Sequence, residues 1–243
     1  MLTIYEQLYK HYGRQYWWPA DSAFEIMVGA ILTQNTAWTN VEQAISRLKQ
    51  QGILAARRIL KTPDARLADC LRPSGYFSIK TQRLKNFCRW YLDNGGFEAL
   101  SRLDTGSLRQ ALLSVNGIGP ETADDIVLYA FVRPVFVIDA YTRRIFTRLG
   151  LVDEGLAYEA LRGVFEQGLT QELSQRNKTG KVTMSRVTRI YSEYHALIVA
   201  HGKDVCRPRP LCQDCCLLQQ CRYYRGGNLG VDGRPLQVWF KNN

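Results

Sequence analysis

The 243-residue sequence has no apolar run long enough to cross a membrane, which excludes a membrane-spanning helix. Its start, "MLTIYEQLYKHYGRQYWWP", lacks a basic stretch followed by a clean apolar segment. A signal peptide is therefore not expected, and cytosol or nucleoid is the expected compartment. Repeats and low-complexity tracts are missing, and so are convincing alternating strands. The best extended candidate, "RPVFVID", is short and contains Pro134, so it reads as a connector. Acidic residues are in deficit, with 22 Asp plus Glu against 32 Lys plus Arg, a net charge of +10 and a pI near 9.4. That balance points to a polyanionic partner, most simply nucleic acid, rather than a membrane.

What is present is helical periodicity. In "DSAFEIMVGAILTQ", Phe24, Met27, Val28, Ile31 and Leu32 form the stripe of a helix with one buried face, and Ser22 with Glu25 supplies a capping box. "NVEQAISRLKQ", "TQRLKNFCRWYLDN" and "TGSLRQALLSV" show similar periods, cut apart by glycines and prolines such as Gly52, Pro63 and Gly95-Gly96. The expected fold class is all-α. The segment from 226 to 243 follows a Gly-Gly break and has no strong pattern.

"LLSVNGIGPETADDIVLYAF" reads as a helix end, a tight turn and a new helix. Gly117 and Gly119 permit backbone angles closed to other residues, and Pro120 suits the first helical position. The orphan N–H groups and positive dipole end of the new helix suit a phosphate oxygen. Downstream, the apolar run Val135 to Ile138 ends at Asp139, and "AYTRRIFTRLG" follows with a helical stripe. Asp139 is therefore a good N-cap. Five of the seven cysteines crowd near the C-terminus as Cys206-x5-Cys212-x2-Cys215-x5-Cys221, with Cys216 extra. In a reducing compartment four close thiolates suit zinc or a [4Fe–4S] cluster. The spacing is not that of a paired C-x2-C zinc knuckle.

"VNGIGPETA", "VIDAYTRRIFTRLG" and the cysteine cluster together resemble the helix–hairpin–helix DNA glycosylases of the endonuclease III superfamily, over about residues 15 to 222. The resemblance implies two helical domains with the active site between them, a helix–hairpin–helix motif and a C-terminal [4Fe–4S] loop. It sets one domain at 1–20 plus 136–225 and a six-helix domain at 21–135. Asp139 becomes the catalytic carboxylate acting on a flipped-out damaged base. The cluster ligands become Cys206, Cys212, Cys215 and Cys221, with iron–sulfur favoured over zinc and one residue fewer in the first gap than the family pattern. Gly117, Ile118 and Gly119 become backbone contacts to DNA. Gln34 enters the duplex, Tyr76 or Phe77 wedges from the other side, and Lys80 meets a phosphate. Arg207, Arg209 and Arg222 surround the cluster and present positive charge to the DNA backbone. The implied partner is double-stranded damaged DNA, and the implied state is a monomer.

One departure matters. Bifunctional members carry a lysine two residues after the second hairpin glycine, and here that residue is Glu121. A carboxylate forms no Schiff base, so base removal without strand cleavage is expected. Neither Lys80, Lys178 nor Lys181 is placed by the sequence to replace the amine. Glu121 suits either its helix N-terminus or the base pocket. "YWWPADSAFEIMVGAILTQNTAW" and "LRPSGYFSIKTQRL" look like the 3-methyladenine DNA glycosylase branch, in which aromatics sandwich an alkylated purine. The matching residues are Trp17, Trp18, Pro19 and Trp38, and stacked rings favour a cationic base. That branch in its best-known form lacks the cluster cysteines. Two alternatives stand beside this reading: a bifunctional enzyme acting on oxidised pyrimidines, and a non-catalytic DNA-binding module. A zinc nucleobase deaminase, which "PLCQDC" faintly suggests, is a weak reading because the H-x-E motif is missing.

Overall fold

Glycine and proline cut the periodic segments into short helices, and the computed structural model, which describes residues 1–176 and 183–226, contains no strand among those residues. The helices are α1 (Leu2–Tyr12), α2 (Ala23–Leu32), α3 (Trp38–Gln50), α4 (Ala56–Lys61), α5 (Asp64–Leu71), α6 (Phe77–Asp93), α7 (Gly96–Leu100), α8 (Thr105–Leu113), α9 (Pro120–Asp125), α10 (Ala140–Leu149), α11 (Tyr158–Arg176), α12 (Met184–Asp204) and α13 (Arg222–Arg225). A 3₁₀ turn at Arg72–Ser74 precedes α6, and a π-turn at Ile126–Ala130 continues α9. No helix among the described residues is long and apolar enough to cross a membrane. Lys178, Lys181 and the segment from 227 onward lie outside the described residues.

The chain divides into two units, Trp18–Val135 and Met1–Trp17 with the described part of Phe136–Asn243. In the first, α2 departs from its expected single buried face. Met27, Val28, Ala30, Ile31 and Leu32 are all buried, and so is Glu25. A helix apolar on every side belongs inside a bundle, and α3, α6 and α9 pack around it. Ser22 caps α2 by accepting the Glu25 N–H at 3.2 Å. Glu25 reaches back to the Asp21 N–H at 3.1 Å and meets Lys49 Nζ at 2.6 Å, so its burial is compensated.

The run Val135 to Ile138, whose residues from Phe136 onward belong to the second unit, is buried and extended, as its composition predicts. From Phe136 onward it is held by side chains of α11: Glu166 accepts the Phe136 N–H at 2.9 Å, and the Tyr158 hydroxyl accepts that of Ile138 at 3.3 Å. Phe136 stacks on Phe165 with centroids 4.5 Å apart, and Phe146 meets Phe165 edge-on at 4.6 Å. This aromatic core fixes the strand-like segment that ends in Asp139. α10 and α12 approach closely because position 202 is glycine; a Cβ there would lie 2.5 Å from Tyr141 Cδ1.

Candidate active site and cysteine loop

Asp139 is the N-cap of α10. Its Oδ1 accepts the Thr142 N–H at 2.6 Å and the Thr142 hydroxyl at 2.8 Å. Its Oδ2 stands 3.6 Å from His195 Nε2, too long for a hydrogen bond but close enough for a charge contact. The side chain keeps 12% exposure. Burial works to raise the Asp139 pKa, but His195 and the two Thr142 donors outweigh it, and the carboxyl is held below its ordinary value. The carboxylate is thus ionised, oriented and partly open. His195, buried on α12, is absent from the sequence-level reading. The available signal was scarcity: the chain has three histidines, and His195 and His201 share one helix.

His195 has a testable effect on Asp139. Base release by His195→Leu should begin to fall at a higher pH than in the unaltered protein as the pH is lowered, because loss of the imidazole leaves burial opposed only by Thr142 and moves the carboxyl pKa upward. Identical pH–rate profiles would reduce His195 to packing.

Cys206, Cys212, Cys215 and Cys221 line one cavity together with Val205, Pro210 and Leu218; Cys216 is not among its walls. Burial pushes the Cys215 thiol up to about 12, and its cysteine neighbours push the same way. Cys212 is raised for the same reasons. Such thiols ionise together only if a cationic group takes their charge. The loop hangs from α10. Arg144 Nε donates to the Cys206 carbonyl at 2.8 Å, and Arg148 donates to the carbonyls of Arg207 and Pro208 at 2.7 and 2.9 Å. Arg148 Nη1 also lies 3.3 Å from Cys206 Sγ. Arg207, Arg209 and Arg222 are exposed. The arginines that organise the loop are therefore Arg144 and Arg148, which periodicity alone marks only as polar positions on α10.

The hairpin departs from its expected geometry in two ways. Gly117 has φ +97° and needs to be glycine. Gly119 has φ −93°, which any residue adopts, and a Cβ there would meet open space. Ile118 is buried, and its N–H donates to the Val115 carbonyl at 3.0 Å, so the turn itself consumes that donor. Ile118 anchors the hairpin rather than offering its amide to DNA. Gln34 Nε2 donates to the Gly117 carbonyl at 3.1 Å and to Thr122 Oγ1 at 2.9 Å, which seats it against the hairpin.

Lys80 is also corrected. It is 1% exposed, and its Nζ donates to the carbonyls of Leu32 at 2.9 Å and Ser74 at 2.6 Å. An ammonium sunk between two carbonyls does not reach a surface phosphate. Tyr76 stands 67% exposed with φ +44°, whereas Phe77 is half-buried against the core beneath Arg72. Trp18 lies on α2 over Gly29, where a Cβ would come within 3.0 Å of its ring. It meets Trp38 edge-on at 4.9 Å and Tyr129 at 5.3 Å, forming a half-buried aromatic group in the first unit. Tyr129, on the π-turn, was not singled out by the sequence. Trp17 belongs to the other unit, Pro19 is exposed, and Glu121 is exposed in the first turn of α9.

A glycine hairpin between two helices, an ionised capping carboxylate after a buried extended run and a four-cysteine loop define a helix–hairpin–helix DNA-repair protein. The chain belongs to the HhH-GPD superfamily of base excision DNA repair proteins, whose family profile matches residues 28–169. It is a DNA repair glycosylase of that superfamily. A Methanocaldococcus jannaschii protein carrying the provisional name DNA repair glycosylase MJ1434 is 43% identical over 90% of this chain and 94% of its own length. Endonuclease III of Sulfolobus acidocaldarius is 27% identical over 84% and 83%. Among solved structures, the H. pylori 3-methyladenine DNA glycosylase MagIII bound to 1,N6-ethenoadenine superposes with a TM-score of 0.70 and 29% identity, covering 83% of this chain and 95% of that one. A non-covalent endonuclease III–DNA complex shares the fold at a TM-score of 0.72 and 18% identity, covering 93% and 95%.

Proposed function

We propose that this protein is a monofunctional glycosylase that hydrolyses the N-glycosidic bond of a flipped-out alkylated purine, such as 3-methyladenine, in duplex DNA. The observation that carries this is Asp139, ionised by its partners and partly open, in a chain whose hairpin bears Glu121 where a Schiff-base lysine would stand. An alkylated purine is already cationic and leaves without prior protonation. The remaining barrier is the positive charge that develops on the sugar. A carboxylate with a depressed pKa is a poor proton acceptor, so Asp139 acts chiefly by stabilising that charge: the C1′–N bond breaks with its electron pair going to the base, which leaves neutral, water bonds to C1′, and its proton passes to solvent. The aromatic group Trp18, Trp38 and Tyr129 offers π-faces that favour a cationic base. The bound ligand of the H. pylori protein, a modified adenine, accords with a purine pocket. Pro19 and Glu121, in the same unit as these rings, are proposed to join the pocket, and the Gly117 and Gly119 backbone is proposed to approach phosphate.

The cysteine loop fits a [4Fe–4S] cluster held by Cys206, Cys212, Cys215 and Cys221. No group of three or more His, Cys, Asp or Glu among the described residues is arranged to hold a metal ion, and the four cysteines line one cavity. Their spacing along the chain, which is not that of a paired C-x2-C knuckle, favours the cluster over tetrahedral zinc. When bound, the cluster supplies structural cross-linking of the loop, since glycosidic hydrolysis transfers no electron. The loop in turn is tied by Arg144 and Arg148 to the helix that Asp139 caps.

Incubation with methylated duplex DNA should release methylated purine and leave abasic sites that break only after alkali. Borohydride present during the reaction should trap no covalent adduct. Purified protein should be brown, with about four iron and four sulfide per chain. A trapped adduct on a duplex carrying an oxidised pyrimidine would instead establish a bifunctional enzyme.

A further inference from the structure

We propose that Lys80 and Arg83, one turn apart on α6, are positioning residues that lock Gln34 and Tyr76 into the geometry with which they enter the duplex. The inference rests on the proposed glycosylase reading and on the resemblance, which implies that Gln34 enters the duplex and that Tyr76 wedges from the other side. Each lies just beyond a carbonyl that Lys80 holds. Leu32 is the last residue of α2, two before Gln34, and Ser74 ends the 3₁₀ turn two before Tyr76. Lys80 Nζ binds both carbonyls, at 2.9 and 2.6 Å, with charge-assisted hydrogen bonds. Burial pushes its pKa down to about 8, which still leaves it charged at neutral pH.

Both loops carry backbone strain beside their DNA-directed residue. Asn35 has φ +55° and Tyr76 has φ +44°, and neither is glycine. Such conformations persist only where the surroundings over-determine them. Arg83 supplies the second constraint. Its guanidinium donates to Gln34 Oε1, and its methylene chain fills the space that a Cβ on Gly117 would occupy. Gln34 then donates to the Gly117 carbonyl. One turn of α6 thus ties the Gln34 loop, the Tyr76 turn and the hairpin to each other. Charge toward phosphate is not what Lys80 contributes.

A double-mutant cycle on methylated duplex DNA tests this, with single-turnover base release as the readout. Tyr76→Ala and Lys80→Met should each slow release about tenfold or more, and the pair should be no slower than the worse single variant, because Lys80 acts through Tyr76. Losses that multiply, or an unaffected Lys80→Met, overturn the clamp. If Lys80→Met fails to fold, Arg83→Met with Gln34→Ala forms the equivalent cycle, read the same way. Active Tyr76→Ala and Gln34→Ala variants with unchanged rates overturn the underlying reading instead. A merely structural lysine would lower stability without this non-additivity.

Discussion

Asp139→Asn is expected to slow base release from methylated duplex by on the order of 10²–10³-fold, and to leave the fold intact. Asparagine keeps an oxygen for the Thr142 N–H and hydroxyl, now at 2.6 and 2.8 Å, and is itself a good N-cap. What it removes is the negative charge. Without it, the developing charge on the sugar faces a neutral amide, and His195 loses its carboxylate partner at 3.6 Å. Alanine would be a poorer test, since loss of the cap alone costs about 1 kcal/mol. Single-turnover kinetics measure the effect, and thermal melting checks the fold. Binding to undamaged duplex should be unchanged. Equal rates for the two proteins would remove Asp139 from the catalytic machinery.

Arg109→Met is expected to destabilise the protein by about 3–5 kcal/mol. Arg109 on α8 grips Asp124 on α9 with two hydrogen bonds, Nε to Oδ1 at 2.5 Å and Nη2 to Oδ2 at 3.2 Å. Asp124 is fully buried and Arg109 nearly so. Removing the guanidinium takes two hydrogen bonds and a positive charge away from a carboxylate buried inside the bundle. The pair joins the helices on either side of the hairpin, so the hairpin should loosen with it. Urea unfolding at constant m measures the loss. Arg109→Met combined with Asp124→Leu should recover most of it, because a matched apolar pair costs far less than one stranded charge. A drop below about 1 kcal/mol for the single variant would contradict this account.

The two predictions differ in how visible their residues were. Asp139 stood out because capping is local: the apolar run before it and the helical stripe after it are contiguous in sequence. Arg109 and Asp124 are a polar position in one periodic segment and half of a "DD" doublet in another. Nothing within a few residues of either indicates that they meet. The same holds at the hairpin. Gly117 was legible because its positive φ is a property of one residue, while Gly119 turned out to need no such freedom. Lys80 looked like a surface cation because lysine usually is one. Its burial follows from two carbonyls at helix and turn ends that only folding brings to one point.

The sequence by itself determined that the chain is all-helical, that a glycine turn separates two helices, that Asp139 starts the next helix and that four cysteines share one short loop. These are consequences of steric preference, capping and spacing, which act over a few residues. Tertiary structure alone decided which groups serve them: His195 beside Asp139, Arg144 and Arg148 under the cysteine loop, Arg109 on Asp124, and Lys80 with Arg83 behind the Gln34 and Tyr76 turns. Each of those contacts closes a long loop of chain. Its partner is selected by the packing of distant helices, for which neighbouring residues hold no code.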